Sequence, residues 1–130
     1  MTTIKSYTDL EQSKKLAEIL PLKSADLKWF FWTEESIAAK SPSFGYSKTA
    51  AESYKNTKAV YLPCWSLPAL INILPDELED NHFLTLDKEG NEYCCCYEDN
   101  NGNSFRHTFA DNPVDACVAM IEKLHKLNLL

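Results

Sequence analysis

Apolar positions along the chain change period several times, and each change marks an element. In "TDLEQSKKLAEILP", Leu10, Leu16, Ala17, Ile19 and Leu20 recur at loosely helical spacing. Thr8 with Glu11 three residues on has the form of a capping box, and Pro21 stops the run, which predicts a helix over 9–20. "LKWFFWT" is short, aromatic and β-prone, and predicts a strand over 27–33. Alternation sends Trp29 and Phe31 to one of its faces and Phe30 and Trp32 to the other. Residues 34–60 have no clear period. Ser41-Pro42-Ser43 and Gly45 mark a turn there, and "KTAAESYK" has room for two helical turns without an apolar stripe. In "PCWSLPALINILP", Ser66 suits an N-cap and Pro68 the first turn. Leu67, Leu70, Ile71 and Leu74 make one face, so a helix is predicted over 67–74, followed by an acidic turn, "DELEDN".

The remainder predicts three strands and a helix: "HFLTL", "EYCCCYE" and "SFRHTF", joined by turns at "DKEG" and "DNNGN", then "ADNPVDACVAMIEKLHKLNLL". Asn112 caps that last helix, Pro113 fits its first position, and Asp115 sits near the positive end of its dipole. Val114, Cys117, Val118, Ile121 and Leu124 form its stripe. The fold class expected is α+β: an antiparallel three- to four-stranded sheet with the C-terminal helix and one or two further helices packed on it. Residues 1–130 are expected to form a single domain.

The pairing of the last two strands depends on the Asn101-Gly102 turn. A two-residue turn pairs Glu98 with Phe105, Cys96 with His107 and Cys94 with Phe109. Cys94, Cys96, Phe105, His107 and Phe109 then share the face expected beneath the C-terminal helix, leaving Tyr93, Cys95, Tyr97, Arg106 and Thr108 on the other. If the preceding turn closes over Lys88-Glu89-Gly90, Leu84 lies beside Cys94. The rival is a three-residue loop with Gly102 in the left-handed region. It pairs Tyr97 with Phe105 and turns Tyr93, Cys95 and Tyr97 inward. The two-residue turn is the register adopted here.

Composition adds mostly exclusions. A net charge of −6 opposes a phosphate backbone, so no nucleic acid is expected. No apolar run is long enough for a membrane span, and the first residues lack a secretory apolar core. Five cysteines, three of them adjacent, suit a reducing cytoplasm and not a disulfide framework. Adjacent cysteines on a strand point alternately up and down, so at most two reach one ion, and compact packing is the role expected of them. Cys64 has no histidine near it in sequence. His82, His107 and His125 are scattered, and Asp80 beside His82 makes only a weak pair. Asp76, Glu77, Glu79 and Asp80, and the loop Asp99, Asn101, Asn103, read as solvated turns. No catalytic, metal or cofactor residue is assigned. The aromatic surplus has two readings. Trp29, Trp32, Tyr93 and Tyr97 either join a second core with the N-terminal helix or line a possible interaction surface.

From residue 67 the element order resembles a double-stranded-RNA-binding domain in topology alone. That family's lysine cluster at the last helix is replaced here by Asn112-Pro113-Val114-Asp115, so no RNA function is carried over. "SYTDLEQSKKLAEILP", "PCWSLPALINILP" and "ADNPVDACVAMIEKLHKLNLL" resemble a family of small uncharacterised proteins of gut Bacteroidales and their phages or other mobile elements. The resemblance implies a cytoplasmic mobile-element context and supplies no site residues. The function expected is a non-enzymatic accessory or protein-interaction module, with a protein partner or homo-oligomer. The alternatives are a small-molecule binder or enzyme using an aromatic pocket beside 34–60, and an acidic nucleic-acid mimic.

Overall fold

The computed structural model describes residues 5–32, 37–38, 43–44, 59–79 and 81–130; of 30–32, 37–38, 43–44 and 59–61 it describes the backbone course. The expectations for the turn at 41–45 and for helical turns over 48–55 lie largely outside the described residues, as does Asp80. The chain groups into two compact units, Tyr7–Ala69 and Leu70–Leu130, the latter joined by Met1–Ser6. Each is α+β with an antiparallel sheet.

In Tyr7–Ala69, α1 (Leu10–Ile19) starts one residue later than the sequence pattern suggested. Its cap is Asp9. The Asp9 carboxylate accepts from the Gln12 N–H at 2.8 Å, and the Gln12 side chain accepts from the Asp9 N–H at 3.1 Å, closing a capping box. Thr8, expected to cap, is fully buried instead. Its hydroxyl accepts from the Trp65 N–H at 3.1 Å, lies 2.8 Å from the Ser13 hydroxyl and meets Cys64 Sγ. β1 (Leu27–Trp32) pairs with β2 (Ile37–Ala38) and β3 (Ser43–Phe44) along one edge and with β4 (Ala59–Cys64) along the other. Pro63, which has no N–H to give to a ladder, sits on β4 at the sheet's edge. α1 lies against β4, and Leu27, Trp29 and Cys64 form a core with Tyr7, Leu10 and Leu62. Three further bonds anchor the start of α2 (Leu67–Ile73): Ser66 Oγ accepts from the Ala69 N–H, and Asp26 accepts from both the N–H and the hydroxyl of Ser66.

The sheet of Leu70–Leu130 runs β5-β6-β7-β8, from β5 (Glu77–Leu78), β6 (His82–Glu89), β7 (Glu92–Glu98) and β8 (Ser104–Ala110). β5 falls inside the stretch expected to be only an acidic turn. It forms because Leu78 is buried and both its residues pair with β6. The first hairpin turns at Gly90-Asn91, with Glu89 opposite Glu92, not over Lys88-Glu89-Gly90. Leu84 therefore lies opposite Tyr97, and Asp87 takes the place expected for Leu84 beside Cys94. Gly90 has φ +62, as the first central position of a primed turn requires.

The second hairpin uses both registers. Next to the turn, Glu98 faces Ser104 and Tyr97 faces Phe105, which is the three-residue-loop pairing with Gly102 at φ +82. Past a bulge at Arg106 and His107, Cys95 faces Thr108 and Cys94 faces Phe109, which is the two-residue pairing. Arg106 is the residue that turns, with φ +54. α3 (Pro113–Lys126), capped by Asn112 through the Asp115 N–H at 2.8 Å, then lies on β8 and β7.

α3 covers the face opposite to the one expected. Thr108 Oγ1 donates to the Ala116 carbonyl of α3 at 2.7 Å, and Cys95 meets Cys117 of α3. The buried face therefore carries Leu84, Cys95, Tyr97, Phe105 and Thr108. Val114, Cys117, Val118, Met120, Ile121 and Leu124 are buried from α3. At about 1.5–3 kcal/mol per large aliphatic group, this stripe contributes on the order of 10 kcal/mol before chain entropy.

Candidate interaction face

Of the four aromatics that could form either a second core or an interaction surface, Trp29 and Tyr97 are interior. Trp29 is buried, its indole donates to the Thr8 carbonyl at 3.1 Å, and its ring meets Tyr7 edge-on. Tyr97 is fully buried beneath α3, and its hydroxyl donates to the Pro75 carbonyl at 2.8 Å. Trp29 and Tyr97 are thus core residues of different units and present no surface. Tyr93 is half-buried with Lys88 Nζ 5.6 Å from its ring. The Trp32 side chain lies outside the described residues. The pocket expected beside 34–60 also rests on residues outside the description.

The thiols serve packing. Burial, followed by the nearby carboxylates, pushes the Cys94 thiol up, and burial with Cys94 beside it pushes Cys96 up to about 12. For Cys95, contact with Cys117 and then burial raise the thiol. The same contact favours a charge on Cys117, against its burial. Burial raises Cys64 despite its bonds to Thr8 and Ser13. Among the described residues no group of three or more His, Cys, Asp or Glu side chains is placed to hold a metal ion, and no helix is long and apolar enough to cross a membrane. His82 is paired through Nδ1 with the Glu79 carbonyl and meets Phe105 edge-on, while His125 is exposed.

The distinctive surface is the face of the second sheet that α3 leaves uncovered. Directly opposed residues share a face, so the register lays this surface out in rows. Phe83, Glu98 and Ser104 form one row; Thr85 and Cys96 form the next, with His107 at the bulge placed on the same face by its contacts with Phe109 and Ser104. Asp87, Cys94 and Phe109 form a third, and Glu89 with Glu92 closes the hairpin end. Three row steps of two residues each span about 20 Å along the strands. Phe83 is 43% exposed and Phe109 53%, far above the buried aromatics on the α3 side. His107 stacks on Phe109 at 5.9 Å, and its Nε2 lies 2.7 Å from the Ser104 hydroxyl, so the exposed imidazole is held from two sides. Sequence alternation placed Cys94, Cys96, His107 and Phe109 together correctly, but under the helix. The one-residue bulge that exposes them has no glycine to announce it. The chain has no match to a family model, a curated protein or a solved structure.

Proposed function

We propose that this chain is a non-enzymatic protein-interaction module whose contact surface is the uncovered face of the β5–β8 sheet. The observation that carries the proposal is the exposure of Phe83 and Phe109 on that face. A phenylalanine left about half in water forgoes roughly 1 kcal/mol that full burial would provide, and a partner covering both rings recovers it. The ordered His107 supports the same reading, because a pre-stacked imidazole loses little freedom on contact. The resemblance to Bacteroidales mobile-element proteins directs the search for a partner to that cytoplasm.

The test uses the full chain and its Phe83→Ser/Phe109→Ser double variant, checked for an unchanged circular dichroism spectrum. Light scattering reads self-association, and affinity capture with mass spectrometry reads a foreign partner. An association present in the parent chain and absent from the double variant supports the proposal. A monomer without partner, or an association equal in both proteins, overturns it.

A further inference from the structure

We infer that the segment received by this face is a basic stretch of a protein partner, with lysine or arginine interspersed among apolar residues. The inference rests on the proposed contact surface and adds the partner's chemistry.

Asp87, Glu89, Glu92 and Glu98 all belong to the uncovered face by register. Asp87, Glu89 and Glu92 are exposed, and among the described residues none of the four has an ion-pair partner. The basic groups of this unit that the structure describes in contacts are engaged elsewhere. Arg106 pairs with Glu79, Lys5 with Asp115 at 2.8 Å, Lys123 donates to the His107 carbonyl at 3.3 Å, and Lys88 lies by Tyr93 on the other face. Glu89 and Glu92 stand directly opposite each other across the turn, a like-charge pair that works against the hairpin. The field of these groups is felt within the face: Glu89, Asp87 and Glu98 all disfavour a charge on Cys94.

Two exposed rings alone would fit any apolar surface. The carboxylates narrow the choice, since an acidic partner meets repulsion and a neutral one leaves four charges uncompensated. The rows match a basic segment with apolar residues near each end. Phe83 lies directly beside Glu98, and Phe109 lies in the row of Asp87 with the small Cys94 between them, one row from the Glu89–Glu92 pair. Cations set between apolar side chains therefore meet carboxylate and ring together.

The experiment titrates the full chain with a synthetic peptide in which lysines and leucines are spaced by serines, and with its glutamate-for-lysine counterpart. Fluorescence anisotropy is read at low and at physiological salt. Expected are binding of the lysine peptide alone, weakening with salt, and a loss of about tenfold or more in a D87N/E89Q/E92Q/E98Q variant that keeps its fold. Equal binding of both peptides, no binding of the lysine peptide, or binding indifferent to the four carboxylates overturns the inference. The Phe83→Ser/Phe109→Ser capture comparison decides the contact surface separately. An association lost with the rings but unchanged by the carboxylate variant sinks the cationic partner and leaves the surface standing.

Discussion

Replacing Cys94, Cys95 and Cys96 by serine, one at a time, separates the two faces of β7. Their exposures are 5%, 0% and 2%, so burial alone ranks them as equals. Their surroundings differ. Cys95 lies under α3, where it meets the Cys117 thiol, a weak hydrogen-bonding partner, and where the neighbouring Thr108 hydroxyl is already committed to the Ala116 carbonyl. A serine hydroxyl at that position goes largely unmet, at a cost of about 1–3 kcal/mol. Cys94 and Cys96 are flanked by Asp87, His107 and Phe109, which are exposed, so a hydroxyl finds a carboxylate, an imidazole or water. Its cost there is below about 1 kcal/mol. With a urea slope of about 1–3 kcal/mol per molar, a gap near 1.5 kcal/mol moves the midpoint of Cys95→Ser by roughly 0.5–1.5 M relative to the other two. The assay is urea unfolding followed by far-UV circular dichroism, with the slope compared among variants. A Cys94→Ser or Cys96→Ser variant that loses as much as Cys95→Ser would place the helix on the other face and refute the face assignment.

Three further outcomes are expected. Thr8→Val leaves the buried Trp65 N–H without its acceptor and costs about 1–3 kcal/mol, against about 1 kcal/mol for Asp9→Ala at the exposed cap; thermal unfolding should rank Thr8→Val as the weaker protein. Arg106→Gly and Arg106→Val both lose the Glu79 pair and the contact with the Phe105 ring, but only valine is strained at φ +54, so Arg106→Val should unfold more easily by about 1–2 kcal/mol. The thiols of Cys95 and Cys96 are raised from the ordinary 9.0, Cys96 to about 12. A raised acid contributes stability that is complete below its unfolded value and is lost as pH climbs toward its folded one, so urea midpoints should decline above pH 9.0, and a Cys95→Ala/Cys96→Ala variant should decline less steeply.

The helices could be read in the sequence because their ends are chemically marked. Asn112-Pro113 and Ser66 with Pro68 fix two starts that the structure keeps, and the stripe from Val114 to Leu124 is buried throughout. At the first helix two overlapping patterns compete. Thr8 with Glu11 and Asp9 with Gln12 both have capping-box spacing, and the choice falls to Asp9 because Thr8 is needed between Ser13, Cys64 and Trp65, contacts that span much of the unit. β5 escaped notice because two residues carry no period, and only its pairing with Phe83 and His82 defines it. Trp29 and Tyr97 illustrate another limit. An aromatic residue reads as core or surface according to what covers it, and the covers here are Thr8 and Tyr7 in one case and Pro75 and α3 in the other.

Which face of β7 meets the helix was not written in β7 itself. Cys94, Cys95 and Cys96 have equal size and polarity, so a shift of one residue changes nothing in their own packing chemistry. The decision comes from β8, where the bulge adds one residue between Phe105 and Thr108. Without it, the pairing set at the Gly102 loop would continue, placing His107 opposite Cys95 beneath α3 and turning Thr108 outward. With it, Phe105 stays inside next to Tyr97, and Thr108 goes inside next to Cys95, where its hydroxyl reaches the Ala116 carbonyl. His107 and Phe109 go outside. One left-handed arginine thus exchanges an imidazole that would need a partner in the core for a threonine that has one. A strained, non-glycine backbone costs on the order of 1 kcal/mol, less than an unmet imidazole beneath a helix. The uncovered face and its ring pair are the other product of the same residue, so the surface proposed for binding and the packing of the core are set by a single irregularity in the sheet.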